Sequence, residues 1–103
     1  MIFSVNPSFK PEQAKERFEL AKLLKQNGQS KSAVSLINNL HVDFPEFTQI
    51  PEAYLLASKI LCEQLGNDKQ AANILNFLLK KYPGNEYRQE IIDYLEVVNN
   101  LTA

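Results

Sequence analysis

Tryptophan is absent from this 103-residue chain; cysteine and histidine occur once each, and glycine three times. A single cysteine, Cys62, excludes an intramolecular disulfide. With one Cys and one His, a zinc site of the usual four-ligand kind would need several carboxylates. The carboxylates are scattered, so no metal or other cofactor is expected. Gly28, Gly66 and Gly84 form neither a GxGxxG nor a Walker phosphate loop. No apolar run approaches the roughly 20 residues needed to cross a bilayer, so direct membrane insertion by this chain is not expected. Eleven basic residues face twelve acidic ones, for a net charge of -1. That balance lacks the basic excess of a nucleic-acid binder. The stretch "MIFSVNPSFKP" has neither a basic start nor a long apolar run, and does not read as a signal peptide. A lone thiol slightly favours a reducing, cytoplasmic setting; a periplasmic domain or one attached to a membrane through a longer protein also fits.

What is present is a hydrophobic fraction of 45%, that of an ordinary globular chain, at a length suited to one domain. It is also a repeat. "NGQSKSAVSLINNLHVDFP" (27–45) and "LGNDKQAANILNFLLKKYP" (65–83) align at a shift of 38. Gly28 meets Gly66, Ala33 meets Ala71, Asn38 meets Asn76, Leu40 meets Leu78 and Pro45 meets Pro83. The glycines suit a left-handed helix end. Ser30 and Asp68 follow as N-cap candidates. Ala33, Ile37 and Leu40 then share a helical face, as do Ala71, Leu75 and Leu78, and each proline stops its helix. Upstream, "FELAKLL" (18–24) matches "YLLASKI" (54–60) at a shift of 36, so the second unit has a slightly longer first helix or turn. Pro11 and Pro51 suit first turns.

The pattern predicts five helices, over about 12–27, 31–44, 51–65, 69–81 and 86–100, with no sheet. Residues 1–11 are read as a tail and 12–103 as a single domain. Short connections make neighbouring helices antiparallel. Two sets of positions carry a family likeness: Leu20, Ala21, Leu24, Gly28, Ala33, Ile37, Leu40 and Pro45, then Leu56, Ala57, Ile60, Gly66, Ala71, Leu75, Leu78 and Pro83. Their order resembles the tetratricopeptide repeat, a helix–turn–helix unit of about 34 residues. The resemblance implies an all-α fold of TPR-like antiparallel hairpins, with units at about 12–45 and 51–83. The 86–100 helix would close a right-handed superhelical stack. The early Trp of the family is missing here, the period is 38, and the small Gly of the first helix is Ala. Other antiparallel helix-pair repeats remain the alternative.

Little in the sequence suggests catalysis. His41 corresponds to Leu79 and reads as a helix residue near the surface. Cys62 has no sequence-local base, and reads as a small apolar thiol. Asn100-Leu101-Thr102 matches a glycosylation sequon, a weak three-residue signal. The expectation is a non-enzymatic module for protein–protein interaction or scaffolding. By the family likeness, the first helices line a groove for a peptide or partner helix. Lys15, Phe18, Lys22 and Lys25, with Tyr54 and Ser58, would line it, the lysines steering an acidic partner. The same residues also suit packing, with the lysines as a solvated face. The alternative function is self-association, as a structural domain of a larger membrane-associated or envelope protein. A homodimer face would then include Ile92, Tyr94, Val97 and Val98. The apolar Ile2, Phe3, Val5 and Phe9 could instead fold back as a cap.

Overall fold

The computed structural model describes residues 13–102. Pro11 and the tail at 1–11 lie outside the described residues. Those described form α-helices and no strand: α1 (Ala14–Gln26), α2 (Ser30–Ile37), the single-turn α3 (Leu40–Asp43), α4 (Ile50–Glu63), α5 (Asp68–Lys81) and α6 (Arg88–Thr102). The chain divides into two compact units, the first ending at Phe47 and the second starting at Thr48. The division falls between the two sequence repeats, as expected where contacts are mostly local to a repeat.

In the first unit α1 packs on α2. Phe18, Ala21 and Leu24 of α1 are buried, as are Ala33, Leu36 and Ile37 of α2 and Leu40 of α3. Gly28 turns the chain with φ +78°. Its amide donates to the Lys25 carbonyl at 3.1 Å, and the Gln29 amide donates to the Leu24 carbonyl at 2.8 Å. These two bonds make a Schellman helix end, which needs a residue at positive φ and so favours glycine.

One expected helix is broken. The pattern predicts a continuous helix over 31–44, but α2 stops at Ile37 and α3 starts at Leu40. Asn39 between them is left-handed, with φ 63° and ψ 17°. Asparagine tolerates that conformation better than other residues with a Cβ. Its counterpart in the second repeat is Phe77, and there α5 runs unbroken.

The second unit packs α5 against both α4 and α6. Ala57 and Ile60 of α4, Ala71, Leu75 and Leu78 of α5, and Ile91 and Val98 of α6 are buried. Tyr54, Phe77 and Tyr82 form a run of rings, with centroids 5.9 and 6.4 Å apart. Pro51 lies in the first turn of α4. Asn67, rather than Asp68, caps α5, its side chain accepting from the Gln70 amide at 3.2 Å. Likewise Ser30 is the first residue of α2 and Gln29 occupies the N-cap position. The difference between the two shifts also has a location. α4 is one residue longer than α1, and the turn after it has four residues (64–67) against three (27–29).

Candidate interaction surfaces

The groove residues expected from sequence divide between core and surface. Phe18 is 1% exposed and Tyr54 6%, while Ser58 is fully buried. Ser58 donates its hydroxyl to the Tyr54 carbonyl at 2.9 Å, back-bonding to the preceding turn. These three side chains therefore hold their helices in place and present no face to a ligand. The cause is geometric. Ala14, Arg17, Phe18, Ala21 and Leu24 occupy one buried stripe of α1 at helical spacing. A stripe drawn through Lys15, Phe18 and Lys22 crosses from surface to core.

The lysines are the outward part. Lys15 is exposed and Lys25 half-buried. Lys22 places its Nζ 4.2 Å from the Phe18 ring centroid and 3.3 Å from a Glu19 carboxylate oxygen. Lys25 lies in the last turn of α1, where a cation interacts favourably with the helix carbonyl end.

Arg17 does not stand out in the sequence, yet it is one of two polar side chains buried among the described residues. Its Nη1 donates to Asp43 Oδ2 at 2.8 Å, and its guanidinium lies 4.9 Å from the Phe44 ring centroid. Its Nε is buried without a hydrogen-bond partner. Beside this pair is a pocket of about 470 Å³, between the start of α1 and the segment after α3. Ala14, Phe44, Pro45 and Phe47 give it apolar walls.

In the second unit, α4 and the α6 region are tied by side chains that sequence reading missed. Tyr87 donates its hydroxyl to Glu52 at 3.0 Å, and Tyr94 donates to Glu63 at 2.8 Å. Lys59 pairs with Glu90 at 2.9 Å and lies 5.8 Å from the Tyr94 ring centroid. Burial and the bond to the Glu63 carboxylate push the Tyr94 hydroxyl well above the ordinary tyrosine range. Burial, then Asp68, pushes the half-buried Cys62 thiol up, which disfavours the reactive thiolate. His41 sits half-buried in α3. Among the described residues, no group of three or more His, Cys, Asp or Glu is placed to hold a metal ion.

No family model, curated protein or solved structure matches this chain.

The expected self-association face also divides. Val98 is fully buried and Tyr94 is engaged with Glu63. Ile92 is half-buried. Val97 is 51% exposed, and Leu101, one turn on, is 61% exposed. Val98 therefore leaves the candidate face, because the stripe it shares with Ile91 is the side of α6 turned inward. Among the described residues, no helix is long and apolar enough to cross a membrane.

Proposed function

We propose that the chain is a non-catalytic protein-interaction module built on TPR-like antiparallel hairpins. The hairpins are α1 with α2 and α3, and α4 with α5, in a right-handed stack that α6 closes. The observation that carries this reading is the recurrence of environment at matched positions. Ala21 and Ala57, Leu24 and Ile60, Ala33 and Ala71, Ile37 and Leu75, and Leu40 and Leu78 are all buried. Gly28 and Gly66 both adopt positive φ. Within the second unit, the lacing of α4 to α6 supports neighbouring first helices on one surface, the geometry such modules use for partners.

The partner meets the outward side of the first helices, with Lys15, Lys22 and Lys25 steering acidic groups on a peptide or helix. Phe18 supports the α1 surface from within, and Tyr54 and Ser58 do the same inside α4. The test is capture from the source cell's extract by wild type and by Lys15→Glu/Lys25→Glu, after circular dichroism shows equal helicity. A protein retained by wild type, weakened by added salt and lost by the variant supports the reading. Equal retention by both rejects the α1 surface.

Val97 and Leu101 favour a second reading, self-association through α6. Sedimentation equilibrium over a hundredfold dilution tests it. A dimer abolished by Val97→Lys/Leu101→Lys supports this reading, and a wild-type monomer at every concentration rejects it.

A further inference from the structure

The pocket of about 470 Å³ opens on the helix that carries the outward lysines, for Lys15 lines it together with Ala14. Phe44, Pro45 and Phe47 supply the apolar lining of the facing segment. Phe44 and Phe47 are each only half-buried, and Pro45 is exposed. Phe47 already meets Phe18 edge-on, with ring centroids 6.5 Å apart. A further ring in the pocket can extend that arrangement, since aromatic pairs favour edge-to-face or offset contacts at about 4.5–7 Å. Size permits it. A cavity of roughly 150 Å³ holds a benzene ring, which leaves room here for the backbone that carries one.

Charge decides what flanks the ring. Lys15, Asp43 and Glu46 are the charged residues of the lining. Asp43 accepts from Arg17 at 2.8 Å, so its charge is answered within the protein. Lys15 and Glu46 are both exposed. The α1 side therefore attracts a carboxylate and the Glu46 side repels one. From Lys15 to Lys25, α1 rises about 15 Å, which an extended peptide covers in roughly four to five residues.

We propose that the partner is a peptide whose aromatic side chain enters this pocket, with one acidic residue beside the aromatic at Lys15 and a second at Lys25. The residue on the other side of the aromatic, at Glu46, is neutral or basic. A second copy of the chain is a poorer occupant, because no aromatic side chain among the described residues is exposed. The proposal rests on the reading that the α1 lysines meet the partner, and it adds the aromatic and its spacing.

Fluorescence anisotropy with labelled synthetic peptides tests it. The probe is Ala-Phe-Glu-Ser-Gly-Ser-Glu, made in both chain directions. One twin has serine for the phenylalanine, and another has glutamate for the alanine. In one direction the probe should bind about tenfold or more tighter than its serine twin, the gain expected from burying an aromatic ring. The glutamate twin should bind wild type more weakly than the probe does, and Glu46→Lys, an exposed change outside the helices, should reverse that order. Amide shifts should map to residues 13–15 and 43–47. Equal binding of the probe and its serine twin overturns the proposal and leaves the α1 lysine reading standing. Phenylalanine-dependent binding that Lys15→Glu/Lys25→Glu does not weaken rejects that reading, and with it the flanking acids proposed here. No binding by any peptide, shifts confined to α6, or concentration-dependent shifts at Phe44 and Phe47 in the protein alone would overturn the proposal as well.

Discussion

Removing Asp43 should cost far more stability than removing Asp43 and Arg17 together. The Arg17 side chain is 6% exposed and that of Asp43 40%. Substitution Asp43→Ala leaves a guanidinium in the first unit without the carboxylate that accepts its Nη1 bond. Breaking a fully buried pair costs about 3–5 kcal/mol. Water reaches Asp43's side, so the penalty here is reduced to about 2 kcal/mol, within the range for a hydrogen bond to a charged group. In Arg17→Met/Asp43→Ala the charge, and with it the unpartnered Nε, is gone. A flexible apolar chain then fills much of the same space beside Phe44. That double variant should lie within about 1 kcal/mol of wild type, because a buried ion pair replaced by apolar groups is often neutral. The second repeat supports the exchange: the position matching Arg17 at the 36 shift is Ala53, fully buried.

Urea unfolding followed by circular dichroism at 222 nm measures both variants. An m value of roughly 1–3 kcal/mol/M turns 2 kcal/mol into a midpoint shift of about 0.7–2 M. The reasoning fails if Asp43→Ala shifts the midpoint by less than about 0.3 M. It fails equally if the double variant is as unstable as Asp43→Ala alone.

Gly28→Ala should cost about 1–2 kcal/mol, since φ +78° is strained for any Cβ although nothing lies within 4 Å of it. Gly84→Ala, at a glycine with no positive φ and equally open space, should be near neutral in the same urea assay. Asn39→Gly should match or exceed wild-type stability, whereas the β-branched Asn39→Val should lose about 1–2 kcal/mol. Alkaline pH should destabilise the second unit. The raised folded-state value of Tyr94 gives stability that is whole below the ordinary tyrosine range near pH 10. That stability is lost as pH climbs above it, because the unfolded chain releases the proton first. In a titration followed by tyrosinate absorbance and helicity, Tyr94→Phe should lessen the alkaline drop. An unchanged pH profile in that variant would contradict the linkage.

The elements of the fold legible in the sequence are those set by local stereochemistry. Gly28 and Gly66 announce helix ends because few other residues accept positive φ. Pro45 and Pro83 announce helix stops because proline has no amide to donate. The break at Asn39 obeys the same rule and was visible as the Asn38–Asn39 doublet. The matched repeat masked it, because Asn38 pairs with an Asn while Asn39 pairs with Phe77. Repeat alignment carries over what two units share, and a helix break present in one unit is what it erases.

The site was less legible, for a different reason. Helical periodicity puts Phe18 beside Lys22 and Lys15, and they are neighbours: Lys22 lies over the Phe18 ring. Periodicity does not say on which side of that boundary the solvent begins. The answer depends on what covers the stripe, and Arg17, buried on it, finds its partner 26 residues away. The links from Glu52, Lys59 and Glu63 to Tyr87, Glu90 and Tyr94 span 31 to 35 residues. They depend on the register of α4 against α6, which is set by the packing of both on α5. A charge at position 59 therefore reads as a solvated lysine in the sequence and as a cross-helix tie in the fold. Lys22 is already engaged with Glu19 and the Phe18 ring, so the partner surface we propose rests on Lys15 and Lys25 ahead of it.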